Sequence, residues 1–426
     1  MIYIINPENK PNTNKSIIAE PIDVLEIYEI IKQKYDAKFL DLDIKQQLPK
    51  LDREDILVIC YDYIIPLHTE DALINIKNIL SKNKNNKKIL ISKQCFQNYK
   101  LFFEIGFNFL IYSNPEYTIN ILINSILNKD FNNLKNTLYI DNNILVKTPL
   151  DKQKLDYIIP NRNEINLTEY NDVRTIVSSI GCNNKCKFCP TPYFQGSWQS
   201  RNVKSIIDEI IYLNNLGCKK IMFLDDNFTT SKTRIDRICN SIKQHNINCK
   251  FGFLSSINNY NYNLFKKMYK CGFQWVHFGI ESAENNTLKI MKKNQSNSQI
   301  KKTLKEVKKI GFKLRISLII DYPGASENDF IKTIKLINII KPNEIRLHFT
   351  AYRSLTPLFN EYKIENKQYI HNNNINEEQE SIKNKYIKSL KEMNYTIIDD
   401  VNYNWNNNQD EFVASFVPIK YGRNWI

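Results

Sequence analysis

Residues 181–190 read GCNNKCKFCP. Three cysteines, Cys182, Cys186 and Cys189, follow the spacing C-x-x-x-C-x-x-C, with Phe188 before the last and Pro190 after it. Clustered thiolates are ligands for zinc or for iron–sulfur clusters. A closed structural zinc site takes four protein ligands, and the nearest other candidates, Cys218 and His245, do not form a second close pair. Three thiolates suit a four-iron cluster with one iron left open as a coordination position.

Working outward, the triplet directly follows a strand candidate, TIVSSI (175–180). Further strand candidates follow it: KIMFL (220–224), KFGFL (250–254), WVHFGI (275–280), KLRISLII (313–320) and EIRLHF (344–349). Amphipathic stretches at 203–216, 233–245, 262–272, 298–311 and 327–340 fit helices between them. Six β/α units in a row predict a partial or full β/α barrel, and the cysteines then stand at the strand-end rim where such barrels build their sites. Upstream, IYII (2–5), KFLDL (38–42), ILVICY (56–61), KILIS (88–92) and FLIY (109–112) alternate with helical patterns at 23–35, 71–82 and 116–127. That pattern predicts a doubly wound, flavodoxin/Rossmann-like parallel sheet. The division is therefore an α/β domain over 1–130, a polar, irregular connector over 131–172, the barrel over 173–360 and a smaller extension over 361–426. The extension reads as an Asn-rich hinge, a charged helix near 377–393, then short strands and turns.

The bulk numbers agree with two α/β domains. The chain has 426 residues, 42% of them hydrophobic, enough for two or three cores. The apolar runs are strand-sized, shorter than the roughly 20 residues of a membrane span, and the N-terminus does not read as a signal peptide. A cytoplasmic protein with no membrane span is the expectation. Nine cysteines, three clustered and six scattered, point to a metal or catalytic cluster plus small buried side chains, not to a disulfide framework. The net charge of +14 comes from lysines spread along the chain; read as solvated surface, it makes nucleic acid an unlikely partner. Eight of the ten glycines lie between Gly181 and Gly324, which places ligand-handling backbone in the middle third.

CNNKCKFC resembles the signature of radical S-adenosylmethionine (radical SAM) enzymes. CPTPYFQGSWQSRNVKSIIDEI, IMFLDDNFT, WVHFGIESAENNTLKIMKKN and ISLIIDYPGASENDF resemble that barrel's successive strand-end signatures, in order, over roughly 173–350. The resemblance implies that Cys182, Cys186 and Cys189 hold a [4Fe–4S] cluster, as its metal and catalytic residues, and that SAM chelates the open iron. It puts Phe188 beside the adenine, Asp225, Asp226 and Asn227 near the methionine amine, Glu281 and Ser282 at the ribose or carboxylate, and Ile320 to Gly324 along the adenine. The implied reaction is one-electron reduction of the sulfonium, C–S cleavage and hydrogen abstraction by a 5′-deoxyadenosyl radical, fed by an electron donor such as flavodoxin or ferredoxin. From alternation alone, His277 reads as a buried hydrogen-bonded residue, and Arg315 and His348 as substrate contacts facing the barrel interior.

A flavodoxin-like sheet before such a barrel resembles the cobalamin-binding subfamily of radical SAM enzymes. The lead-in NRNEINLTEYNDVRTIVSSIGC and SNPEYTINILINSI (113–126) resemble that subfamily too. The departures are the missing D-x-H-x-x-G motif, His68 as the domain's only histidine, and no glycine before Gly106. Cobalamin therefore stays open, the alternative being a degenerate domain that shields the barrel mouth or docks a partner. The expected substrate is a small molecule, lipid or peptide, modified by methylation, oxidation or rearrangement. Two further functions remain as alternatives. One is tRNA methylthiolation, suggested by CPTPYFQG; it calls for a second cysteine triplet, whereas only Cys60 and Cys95 precede Cys182. The other is a non-catalytic metal-binding or interaction module.

Overall fold

The run ILVIC at 56–60 sets the first sheet, because five consecutive apolar residues, all buried, suit a strand covered on both faces. The computed structural model describes residues 1–8, 20–61, 70–92, 94–151, 157–353, 356–361, 377–399 and 403–406. They fall into two compact units, one over Met1–Tyr170 and one from Asn171 onward.

The first unit runs β1 (Ile2–Asn6), α1 (Ile22–Lys32), β2 (Ala37–Asp41), β3 (Ile56–Cys60), α2 (Glu70–Lys82), β4 (Lys87–Ile91), α3 (Tyr99–Glu104), β5 (Phe109–Ile111), α4 (Pro115–Asn128), β6 (Thr137–Asp141) and β7 (Ile144–Lys147). The sheet order is β2-β1-β3-β4-β5-β6-β7. β1 to β5 pair in parallel, as expected of a flavodoxin-like sheet. Alternate residues divide between two cores: Ile4, Val58 and Cys60 pack on one face, Ile5, Leu57 and Ile59 on the other.

The stretch 131–172, expected as an irregular connector, departs from that reading. It carries the hairpin β6–β7, which extends the sheet antiparallel. Asn142 and Asn143 both take positive φ, 47° and 63°, as a two-residue hairpin turn demands. The pattern hid it because β7 is an edge strand with Ile144 and Leu145 exposed, so no buried side marks its alternation. Farther on, Arg162 and Glu20 form an ion pair at 3.4 Å with both side chains fully buried, and Tyr170 donates a hydrogen bond to Asp41. These tie residues 162–170 to the first unit.

The second unit continues with β8 (Val173–Ile176), β9 (Ser179–Ile180), α5 (Thr191–Phe194), β10 (Gln199–Ser200), α6 (Val203–Asn215), β11 (Lys220–Phe223), α7 (Lys232–Gln244), β12 (Lys250–Ser255), α8 (Tyr262–Lys270), β13 (Phe273–Glu281), α9 (Asn285–Ile290), α10 (Asn297–Ile310), β14 (Lys313–Ile319), α11 (Glu327–Ile340) and β15 (Glu344–His348). α12 (Pro357–Glu361), α13 (Glu377–Glu392), β16 (Tyr395–Asp399) and β17 (Tyr403–Asn406) close the described chain. The main sheet has the order β16-β17-β15-β14-β13-β12-β11-β8. Six parallel strands follow in chain order, as six β/α units require, and β17 and β16 add an antiparallel end. With β8 and β16 at opposite edges the sheet is open among the described residues, a partial barrel.

Each strand turns one side to the helices. Phe223, Phe251, Phe253, Val276, Phe278, Leu314, Ile316 and Leu347 are buried there in one cluster, and the rings of Phe223 and Phe273 stack at 5.9 Å. Helix starts are fixed just past the strand ends by caps at Asn202, Ser231, Asn261 and Ser296. Ser296 and Gln299 form a reciprocal capping box on α10. Ser296→Ala is expected to cost about 1 kcal/mol, read as a lower thermal midpoint with the circular dichroism spectrum kept. Among the described residues no helix is long and apolar enough to cross a membrane.

Candidate functional site

The cysteine loop leaves β9 through Gly181, whose φ is 77°. A Cβ there would lie 2.6 Å from the Ser197 carbonyl oxygen, so only glycine permits this close approach. The Cys182 N–H donates to the Gly196 carbonyl at 3.3 Å, and the Lys187 N–H to the Met291 carbonyl at 2.9 Å. From the other side the Leu358 N–H donates to the Lys187 carbonyl at 3.0 Å, and Lys187 pairs with Glu361 at 2.6 Å. The loop is thus clamped between the region after β13 and α12.

Inside this clamp the site is apolar. Cys186 and Phe188 are buried with Met291, Ile319, Tyr322 and Leu358, and Cys189 packs against them. The Phe188 and Tyr322 rings meet edge to face at 6.2 Å. Burial pushes the Cys182 and Cys186 thiols up, and the Cys189 thiol up to about 12. Without a cation these are protonated thiols; an iron core supplies the positive charge that displaces the protons. Among the described residues no three His, Cys, Asp or Glu side chains are grouped to hold a metal ion. The donor set fits a cluster, in which each thiolate takes a different iron and the sulfurs stand farther apart than ligands of one ion.

Glu281 ends β13 against this loop. A bulge interrupts the register between Gly279 and Glu281, and Glu281 takes a φ of 67°, a conformation rare for a side chain of this kind. Its Oε1 accepts from Lys293 Nζ at 2.8 Å, while its Oε2 is buried with no hydrogen-bond partner. An orphaned carboxylate oxygen beside the cysteines suits a hydroxyl or amine donor from a ligand. Lys293 also lies over the Phe188 ring at 5.8 Å. Burial works against its charge, but the Glu281 carboxylate outweighs this and raises its pKa. Nothing in the sequence singles out Lys293 among the neighbouring lysines; the turn after α9 brings it in.

The other expected residues divide between the site and the scaffold. Asp226 is exposed at the rim, where its carboxylate accepts from Thr191 Oγ1 at 3.0 Å, just beyond the cysteines. Asp225 is fully buried and engaged within the protein: it accepts from the Ser178 N–H and Oγ, each at 2.7 Å, and from Ser179 Oγ, and it pairs with Arg234 at 3.3 Å. Asn227 is buried too, donating to Asn259 and accepting from the Ser256 N–H. Ser282 donates to Asp329 at 2.8 Å and accepts from the Glu284 N–H. Ile320 joins the helix-side core; its neighbour Ile319 is the one packed with Phe188. Gly324 makes the turn after β14 with a φ of 85°. On the inner face of the sheet, His277 Nε2 lies 2.6 Å from Ser317 Oγ and Arg315 pairs with Glu344. Arg346 and His348 are buried on the same face. Arg346 is a site candidate the sequence reading passed over, although the alternation EIRLH carries the signal.

Comparison with known proteins places residues 176–337 in the family model described as the Radical SAM superfamily. Over 189 residues the chain is 31% identical to an uncharacterized methyltransferase of Pyrococcus horikoshii, covering 44% of this chain and 38% of that one. Over 203 residues it is 32% identical to the tRNA-2-methylthio-N(6)-dimethylallyladenosine synthase of Buchnera aphidicola subsp. Cinara cedri, covering 44% and 46%. The matches thus span less than half of either relative. Among solved structures, the cobalamin-dependent S-adenosylmethionine radical enzyme OxsB shares the fold with a TM-score of 0.66 and 17% identity, over 85% of this chain and 55% of that one.

Proposed function

Because the middle of this chain is a radical SAM domain, with a [4Fe–4S] cluster and SAM as its cofactors, we propose that the protein cleaves SAM reductively and modifies a substrate seated on the inner face of the β8–β15 sheet. The observation that carries the proposal is the buried loop of Cys182, Cys186 and Cys189 set against Phe188 and the Glu281–Lys293 pair. Those three cysteines would hold the cluster, which when bound supplies the electron for C–S cleavage of SAM. The chain's own part is to shape and dry the site. Met291, Ile319, Tyr322 and Leu358 exclude water around Phe188, and Glu281 offers its orphaned Oε2 to a polar group of SAM. Asp226 stands at the rim, where it can accept from the methionine amine. A one-electron donor completes the proposal.

Glu281→Gln keeps the shape and removes the charge. It is expected to raise the KM for SAM by about 10-fold to 100-fold, the value of a charge-assisted hydrogen bond, with a smaller change in kcat. An unchanged KM would remove Glu281 from the SAM site.

The first unit bears on two related chemistries. Methylthiolation, the chemistry named for the Buchnera relative, calls for a second set of cysteines. Cys60 and Cys95 are fully buried in the cores on opposite faces of the first sheet, so they cannot share a cluster. Cobalamin, named for OxsB, is left out of the proposal: Tyr61, Phe102, Phe107 and Tyr112 fill one face of the first sheet, with Phe96 packed on Tyr112 at 5.3 Å, and the loops after β1 and β3, at the strand ends where such sheets bind ligands, lie mostly outside the described residues. No small-residue cradle stands among the described residues there, and the PLHTE loop with His68 lies outside them. No step of the proposal runs through a corrin.

A further inference from the structure

Two of the cysteines outside the triplet meet on the helix side of the second unit. Cys239 lies on α7 among Ile235, Ile238 and Ile242, the side that helix buries, and is itself fully buried. On α8 the buried side is Leu264, Phe265 and Met268. Cys271 continues it at the next helical spacing, where the helix has just ended, and is half-buried. The turn that follows fixes its place: Gly272 takes a φ of 95°, and a Cβ on it would collide with the Cys249 carbonyl oxygen. One turn back on α8, Lys267 Nζ reaches across to α7, 2.5 Å from Asp236 Oδ1 and 2.7 Å from Asn240 Oδ1. The two helices are thereby held together at the level of the two sulfurs.

The Cys239 and Cys271 thiols share a hydrogen bond, and Cys271 Sγ lies 3.6 Å from the Cys239 carbonyl oxygen. Sulfurs in contact join with little movement of the backbone. The hydrogen bond from Cys239, with Lys267 and Lys243 nearby, brings the Cys271 thiol down to about 7 against the effects of burial and of Asp236. The same hydrogen bond, and burial, hold the Cys239 thiol up. A partly exposed thiolate near cations, beside a protonated partner thiol, is the arrangement of a peroxide-reactive cysteine and the cysteine that resolves it. The other scattered thiols differ. Burial pushes Cys60 and Cys95 up and Cys249 up to about 11, and the Cys249 and Cys218 thiols donate to the Cys218 and Lys220 carbonyls.

We propose that Cys271 and Cys239 form a reversible redox site, at which a peroxide converts the two thiols to a disulfide joining α7 to the end of α8. The Cys271 thiolate attacks a peroxide oxygen, the O–O bond breaks, hydroxide leaves, and the sulfur becomes a sulfenic acid. The Cys239 sulfur attacks the Cys271 sulfur, the S–O bond breaks, and the Cys239 proton leaves with the hydroxyl as water. The first hydroxide takes up the proton that Cys271 gave to solvent. Two thiols have then lost two electrons, and one peroxide has become two waters. Cys271 precedes Phe273, which begins β13, whereas Glu281 ends that strand. The redox site therefore lies at the far end of β13 from the cysteine loop. The disulfide fastens α7, the helix whose Arg234 pairs with Asp225.

The test uses the reconstituted full chain, read by peptide mapping. Trypsin places Cys239 in ICNSIK (238–243) and Cys271 in CGFQWVHFGIESAENNTLK (271–289). After a modest excess of hydrogen peroxide, mapping without reductant is expected to show these two peptides joined, and dithiothreitol to separate them. In untreated protein, iodoacetamide at neutral pH is expected to alkylate Cys271 about 10-fold faster than Cys60, Cys95, Cys218 or Cys249. Cys239→Ala, its fold checked by circular dichroism, should slow that alkylation and leave a sulfenic acid on Cys271 that dimedone traps. Three results would each overturn the proposal: peptides that stay unjoined in the wild-type chain, Cys271 joined to a different cysteine, or alkylation of Cys271 no faster than that of the buried thiols.

Discussion

Cys186→Ala is expected to abolish both cluster assembly and SAM cleavage. Cys186 is the middle thiol of the triplet and is buried among Phe188, Met291, Ile319, Tyr322 and Leu358, where no water or other residue replaces a lost ligand. Reconstituted wild-type protein should hold about four irons; the variant should hold little iron and sulfide, lose the charge-transfer absorbance of the cluster, and form 5′-deoxyadenosine only at background. Cys218→Ala is the control. Cys218 is the nearest thiol downstream, but its Sγ donates to the Lys220 carbonyl at 3.1 Å within the helix-side core. Iron and cleavage should persist in that variant. Loss of metal in both would point to a four-ligand zinc site and away from a cluster with an open iron.

Asp225→Ala is expected to act chiefly on stability. The resemblance assigned Asp225 to the methionine amine, but its side chain is fully buried and braces the turn between β8 and β9 through Ser178 and Ser179. Removing it leaves Arg234, 5% exposed, without its carboxylate. Breaking such a buried pair costs about 3–5 kcal/mol, which lowers the thermal midpoint of a unit of this size by roughly 6–20 °C. A role confined to SAM would instead raise the KM with the midpoint unchanged. Since the β8–β9 turn leads into Gly181 and Cys182, the variant is expected to lose cluster occupancy as well, in proportion to the unfolding of that turn.

The sequence carried the parallel sheets because apolar strands and amphipathic helices alternate with short connections in both halves. It missed the β6–β7 hairpin, since Ile144 and Leu145 are exposed and no buried face marks the strand. It missed α3 because six residues, YKLFFE, are too few for a helical period to show. In the site, the cysteines and Glu281 were legible from their motifs. The difference between Asp225 and Asp226 was not, because adjacent strand-end residues point opposite ways and only packing decides which one turns inward. Ile320 and Ile319 differ for the same reason. Lys293 depends on the path of the turn after α9, which no local pattern encodes.

The most direct test of the central claim is SAM cleavage by the anaerobically reconstituted full chain under dithionite, with iron, sulfide, zinc and cobalamin quantified in the same sample. The account predicts about four irons per chain and steady formation of 5′-deoxyadenosine. Bound zinc with no 5′-deoxyadenosine would contradict it and leave a metal-binding module on a radical SAM fold.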